Sequence, residues 1–281
     1  MQVAPRLIEE PPSQGKTRSG IAYLTKGNGP PLILFHGSMG SWRHWVRNIP
    51  ALSSIRTVIA LDLPGYGQST AVEPGISADD YSDLVFSAVI DICGGTETID
   101  LAGFSFGGQI ALGCAVRLGS RTRRLALLTP SGFTAPKGRT IEMPRRRDFD
   151  QSESRQREYH RRVLLTIMLA DPASADDAAI DIQATNSASA RFDGRHISWS
   201  GQTPAMLGKI KCPTLLVYGD HDPMPYPSYG DRIAIARQAM PDIEVVLVPG
   251  AGHWLQYERA TETNHLLTNF FGPATVNNSQ P

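Results

Sequence analysis

Ser105 sits between two glycines in Gly103-Phe104-Ser105-Phe106-Gly107, followed by Gly108, and is the residue of this chain best placed for nucleophilic chemistry. A serine hydroxyl attacks a carbonyl only when a base removes its proton, and that base, usually histidine, needs a carboxylate to hold its ring. Both partners occur farther along: Asp222 after the strand-like run 214–218, and His253 after the strand-like run 245–248. A glycine-rich turn of purely structural purpose has the same spelling, but the downstream acid and histidine, in that order, favour the chemical reading.

The elements around the serine must hold it in one place. An apolar run ends at Ala102 and a small-residue run extends from Gln109 to Leu118, so Ser105 occupies a tight turn from a strand into a helix. The flanking glycines leave room for a strained turn that lifts the hydroxyl clear of the sheet. The amide of Phe106, at the start of the helix, then points toward any oxyanion formed on a substrate bonded to Ser105. Two acids, Asp220 and Asp222, share one loop and compete to orient His253.

Composition bounds the rest. The 281 residues, 41% hydrophobic, suffice for one large α/β domain with a smaller insertion. Lys plus Arg and Asp plus Glu both number 27, so no overall field favours nucleic acid or an anionic membrane. Cys93, Cys114 and Cys212 are widely spaced and read as reduced, buried thiols. The first ten residues lack a basic start followed by an apolar core, and no apolar run approaches a membrane span. The expectation is a cytoplasmic protein acting on a small molecule, with no nucleic-acid or membrane partner and its oligomeric state left open. No phosphate-loop, dinucleotide or zinc-protease motif appears, so no cofactor and no metal are expected.

Along the chain, residues 1 to about 19 read as a polar arm, followed by strands near 21–25, 31–35, 57–61, 99–102 and 124–129, with helices over about 42–52 and 79–93. Such alternation with short connections predicts a mostly parallel, doubly wound sheet. From Ser131 to about Lys209 the strand pattern stops and charge-rich helical segments take over. That length is too great for a bare loop and predicts a helical lid over the strand ends. The expected boundaries are core 1–132, lid 133–209 and core 210–281. The lid's arginines, Arg145 to Arg147, Arg155, Arg157, Arg161 and Arg162, precede Asp171, Asp176, Asp177 and Asp181, as expected of helix faces paired with each other. Strand and helix signals resume at Thr214, and the tail from Gly272 carries a sequon at Asn277.

The motifs His36-Gly37, Asp62-Leu63-Pro64-Gly65, 103–108, Gly219-Asp220-His221-Asp222 and Gly252-His253 resemble the α/β-hydrolase superfamily, in its serine-nucleophile branch. The resemblance covers nearly the whole chain outside the lid. It implies an α/β-hydrolase fold with an inserted helical lid, and a triad of Ser105, Asp222 and His253. The acid of that superfamily lies three residues after the loop glycine, which selects Asp222 and leaves Asp220 to bond the loop backbone. The oxyanion hole would combine the amides of Phe106 and Ser38, with His36 bracing the loop. Serine as the nucleophile separates the chain from the dehalogenases and epoxide hydrolases of this fold, which use aspartate.

Within the superfamily, His36-Gly37-Ser38-Met39-Gly40-Ser41 and Gly252-His253-Trp254-Leu255-Gln256-Tyr257-Glu258 are similar to stretches of the C–C hydrolases that cleave meta-ring-fission products. That similarity implies substrate contacts from Trp254 and Met39, and a lid arginine, Arg191, on the keto-acid carboxylate. Phe104 and Phe106 depart from that group's asparagine and methionine. The expected activity is a serine hydrolase acting on a small carbonyl compound, with C–C hydrolysis of a keto-acid ahead of ester hydrolysis. The alternatives are a lyase or perhydrolase on the same triad, and an inactive small-molecule-binding protein.

Overall fold

A computed structural model describes residues 12–94, 98–134 and 141–272. Its strands are β1 (Ser13–Lys16), β2 (Ala22–Lys26), β3 (Pro31–Phe35), β4 (Thr57–Leu61), β5 (Ile99–Phe104), β6 (Thr122–Leu128), β7 (Thr214–Gly219) and β8 (Glu244–Val248). They form one sheet in the order β1-β2-β4-β3-β5-β6-β7-β8. The pairs β1–β2 and β2–β4 are antiparallel and every other pair is parallel. Helices α1 (Ile49–Leu52), α2 (Ala78–Cys93) and α3 (Phe106–Leu118) precede β6; α4 (Glu153–Ile167), α5 (Asp177–Ser189), α6 (Arg195–Ser198) and α7 (Thr203–Leu207) separate β6 from β7. Helix α8 (Tyr229–Ala239) joins β7 to β8, and α9 (Leu255–Glu258) and α10 (Ala260–Phe271) end the described chain.

The sheet is covered on both faces, so its central strands are apolar throughout rather than alternating. Successive residues serve opposite sides: Leu32 and Leu34 join one core with Trp45, Phe104 and Leu267, whereas Ile33 and Phe35 join the other with Tyr81, Val85 and Ile110. Helix α2 begins where Ser77 accepts the amide of Asp80, and Asp79 and Asp80 favour that end of the helix dipole. Its buried Tyr81, Val85, Ala88 and Val89 recur at helical spacing and form the face against the sheet.

Two elements differ from the sequence reading. Ser13–Lys16 is a strand, not part of a polar arm; it carries no apolar residue because, at the sheet edge, only its backbone pairs with β2. The expected helix over 42–52 is a 3-10 turn, Trp42–Trp45, and the separate α1, whose start is set by Pro50. Helix α3 begins at Phe106, directly after the serine, where the sequence reading placed the start of that helix. The expected arm up to residue 11, the tail from 273 and the sequon at Asn277 lie outside the described residues.

Among the described residues the segment between β6 and β7 is helical, and an isolated antiparallel bridge between Thr134 and Ser200 ties its two ends to each other. Its charges pair between helices, with Arg157 of α4 reaching Asp177 and Asp181 of α5. Among the described residues no helix is long and apolar enough to cross a membrane.

A buried ionic cluster fixes the far end of the sheet. Asp100 of β5 is fully buried and accepts hydrogen bonds from Arg56 Nε at 3.0 Å and from Arg123. The Arg56 side chain is only 6% exposed, so removing the carboxylate leaves a cation without compensation. Asp100→Ala should therefore lower unfolding stability by about 3–5 kcal/mol in urea titration. A loss under about 1 kcal/mol would mean that the cluster behaves like surface pairs.

Candidate active site

Strand β5 is buried over its whole length and delivers the chain to Ser105, whose backbone takes φ 52, ψ −116. The turn closes because glycines let backbone meet backbone. A Cβ on Gly103 would lie 2.3 Å from the Gly107 carbonyl oxygen, and one on Gly107 would lie 2.4 Å from those of Phe35 and His36. The Ser105 amide donates to Leu128 of β6 at 2.9 Å, and its carbonyl accepts from Gly108 at 2.9 Å and Ser131 at 3.0 Å. Helix α3 starts immediately afterwards, so its positive end faces the hydroxyl.

His253, in the loop after β8, lies with Nε2 2.9 Å from Ser105 Oγ and Nδ1 2.8 Å from Asp222 Oδ2. An ionised carboxylate only accepts, so Nδ1 carries the proton and Nε2 presents its lone pair to the serine hydroxyl. The Asp222 side chain is fully buried, and its other oxygen accepts the Met224 amide at 2.8 Å. Asp220 faces another way: its Oδ1 accepts the Gly250 amide at 2.7 Å and lies 2.7 Å from His221 Nδ1. These bonds hold Asp220 below the usual carboxylate range, the one with His221 first. Asp220 therefore bonds the loop, and Asp222 faces the histidine.

The loop after β3 lies against the serine. A Cβ on Gly37 would come within 2.8 Å of the Phe104 ring and 3.4 Å of Ser105 Cβ. Among the described residues neither the Ser38 nor the Phe106 amide donates a hydrogen bond to a protein acceptor. His36 braces this loop: Nδ1 lies 2.7 Å from the Gly37 carbonyl and Nε2 accepts the Leu63 amide at 2.8 Å. Burial pulls His36 below its ordinary value, against the opposing pull of Asp62. Asp62 in turn accepts the amides of Trp42 and Gln68, both at 2.9 Å, and ties the β3 and β4 loops together.

Of the expected substrate contacts, Met39 is 47% exposed, with φ 51, in the loop that carries Ser38. Trp254 and Arg191 require correction. Trp254 is fully buried; its Nε1 donates to the His44 carbonyl at 2.9 Å and its ring stacks on Tyr257 at 4.1 Å. It supports the His253 loop from behind. Arg191 is exposed, and its guanidinium donates to the carbonyls of Gly67, Ser69 and Ser189 at 3.2, 2.6 and 2.9 Å. Three of its five N–H donors are thus spent on backbone carbonyls, which latches the helical insertion to the β4 loop.

Sequence reasoning passed over three residues here. Glu258, 7% exposed, accepts the amides of Gly252 at 2.6 Å, Ala170 at 2.9 Å and Asp171 at 2.6 Å, binding the His253 loop to the insertion. Tyr66 is fully buried; burial pushes its hydroxyl up, and the Ser38 hydroxyl lies 3.4 Å from it. His44 is buried beneath the oxyanion-side loop. Glu258 ends a motif stretch and Tyr66 follows another, whereas nothing in the spelling around His44 marks it.

Residues 32–266 match the alpha/beta hydrolase family, and the chain belongs to it. Its single eight-stranded, mostly parallel sheet is the fold of that family. The chain is 26% identical over 275 residues to a 2-hydroxy-6-oxononadienedioate/2-hydroxy-6-oxononatrienedioate hydrolase of Paraburkholderia phymatum, covering 92% of this chain and 93% of that one. It is 29% identical over 266 residues to the dihydrolipoyllysine-residue acetyltransferase component of the acetoin cleaving system of Cupriavidus necator, covering 90% of this chain. The chain spans about 66% of that relative's length. A crystal structure of a meta-cleavage product hydrolase from Pseudomonas fluorescens superposes with a TM-score of 0.71 at 23% identity, over 92% of this chain and 97% of that one, a likeness of fold.

The two loop acids give a direct test. Asp222→Asn, which disturbs the His253 tautomer, should lower kcat by about three to four orders of magnitude. Asp220→Asn should change it by less than about tenfold, since that side chain bonds only the loop. Steady-state rates on one ester measure both, and the reverse ranking would reassign the acid.

Proposed function

We propose that the chain is a serine hydrolase in which Ser105 is the nucleophile, His253 the general base and acid, and Asp222 the residue that orients the histidine. The observation that carries this reading is the continuous chain from Ser105 Oγ to His253 Nε2 at 2.9 Å and from His253 Nδ1 to Asp222 at 2.8 Å. Ser105 Oγ attacks a substrate carbonyl carbon as its proton passes to Nε2. The resulting oxyanion is held by the amides of Ser38 and Phe106, which are already in place before charge develops. Collapse breaks the bond to the leaving group, which takes the proton back from Nε2 and leaves an acyl-enzyme. Water, deprotonated by the same nitrogen, then releases a carboxylate and restores the serine hydroxyl. Asp222 stabilises the imidazolium and takes no proton.

The substrate is a small carbonyl compound, and C–C hydrolysis of a keto-acid is the first reading. The hydrolase of Paraburkholderia phymatum, similar over almost all of both chains, supports it. Hydrolysis of a carboxylic ester is the second reading. What favours it is the position of Arg191, which is occupied by backbone carbonyls and leaves a keto-acid carboxylate without the expected partner. Under either reading the helices between β6 and β7 form a lid, latched by Arg191 and Glu258. A reducing, cytoplasmic setting is supported by the wide spacing of Cys93, Cys114 and Cys212 in the sequence, and burial pushes the Cys114 thiol up to about 12.

Turnover of p-nitrophenyl butyrate and of a synthetic 2-hydroxy-6-oxo-dienoate tests both parts. Each should be hydrolysed, and Ser105→Ala should lower kcat on each by about a thousandfold or more with the folding transition unchanged. A kcat/KM for the dienoate at least about tenfold above the ester assigns C–C hydrolysis, and the opposite order assigns ester hydrolysis. A Ser105→Ala enzyme with the parent's rate on either compound would remove Ser105 from the mechanism.

A further inference from the structure

His44 lies in the 3-10 turn Trp42–Trp45 and is 2% exposed. Its ring lies edge-on to Phe104, the residue before Ser105, at 5.4 Å, and 5.1 Å from Trp254, the residue after His253. Its backbone carbonyl accepts the Trp254 indole at 2.9 Å, which fixes the turn against the histidine loop. Its Nδ1 accepts the amide of Gly37 at 3.2 Å. None of the chemical steps above uses this imidazole.

The bond to Gly37 matters because of what Gly37 carries. A trans peptide group points its N–H and C=O in opposite directions, so the Gly37 carbonyl direction fixes the Ser38 amide direction. His36 holds that carbonyl, and His44 holds the amide of the preceding peptide group. Two imidazoles thus pin the peptide groups on either side of one α-carbon, and with them both of its backbone dihedrals. That α-carbon must be a glycine, since a Cβ would strike Phe104 at 2.8 Å. Glycine is also the residue with the widest backbone freedom, so without the two bonds the Ser38 amide would have no fixed aim.

A ring nitrogen that accepts an amide must be unprotonated. Burial first, and then the neighbouring His36 and His253, pull His44 well below its ordinary value and keep it neutral.

We propose that His44 is a positioning residue for the oxyanion hole, acting through Gly37 to aim the Ser38 amide at the substrate oxygen. The inference rests on the assignment of Ser105 as the nucleophile. Its effect falls on the transition state, because only there does the carbonyl oxygen carry the charge that the amide is aimed at.

The test replaces His44 by three residues and follows p-nitrophenyl butyrate turnover together with inhibition by a trifluoromethyl ketone, whose adduct with serine carries an oxyanion. In His44→Asn the side-chain oxygen can take the place of Nδ1, in His44→Gln the amide reaches past it, and His44→Leu has no acceptor. The Leu and Gln variants should lose about ten- to a hundredfold in kcat with KM within about twofold, part of the hundred- to thousandfold cost of removing a donor outright. Their affinity for the ketone should fall by the same factor, and His44→Asn should recover most of both. Should His44→Leu fail to fold, the comparison of Asn with Gln decides. Equal rates and ketone affinities in Asn and Gln, or a change in KM alone, would overturn the role of His44. Ser105→Ala assayed alongside separates the two claims: if it stays active, the nucleophile assignment fails, whatever His44 does.

Discussion

The backbone of Ser105, at φ 52, ψ −116, is the constraint around which the molecule is arranged. An L-residue holds such a conformation, at a cost of about 1–3 kcal/mol, only where its surroundings over-determine it. Here they do so from both sides. Strand β6 takes the Ser105 amide through Leu128, and the carbonyls at the end of β3 press so closely on Gly107 that a side chain would not fit. The sheet order, with β5 between β3 and β6, is what brings those two neighbours to the turn.

The same order collects the remaining groups. Ser38 follows β3, Ser105 follows β5, Asp222 follows β7 and His253 follows β8, so one edge of a parallel sheet lines up four loops. Open α/β sheets place ligands at that edge because the strands end there together. The helical insertion is anchored to the same loops. Glu258 joins it to the His253 loop through three amides, Arg191 joins it to the β4 loop, and Gln109 of α3 donates to the carbonyl of Ile197 in α6 at 3.0 Å. Side chains at the rim are thus tied largely to backbone groups, which fixes loop positions without depending on flexible partners.

Much of this is legible in the chain because the chemistry is spelled locally. Gly103 and Gly107 are required by close backbone approach, and strand runs without alternation announce a sheet covered on both faces. Other features carry no local mark. Strand β1 is polar and depends on β2 for its hydrogen bonds, and the turn at Trp42–Trp45 has helical composition but is interrupted before Pro50. Asp220 and Asp222 are two residues apart in one loop, and only the three-dimensional path of that loop turns one toward Gly250 and the other toward His253. Arg191 and Trp254 have the composition of substrate contacts, yet one meets backbone carbonyls and the other is buried against Tyr257. Whether a polar side chain faces a ligand or its own protein is decided by long-range packing, which a local pattern does not contain.

The central claim is that Ser105 is the residue that forms a covalent bond with substrate. Incubation of the folded protein with an alkyl fluorophosphonate, followed by digestion and mass spectrometry, reads that bond directly. Attack by an activated serine expels fluoride and leaves the phosphonyl group on the nucleophile. A single adduct is expected on the peptide that contains Ser105, formed in step with the loss of turnover and greatly slowed in His253→Gln. An adduct on another residue, with Ser105 unmodified while activity is lost, would contradict that claim.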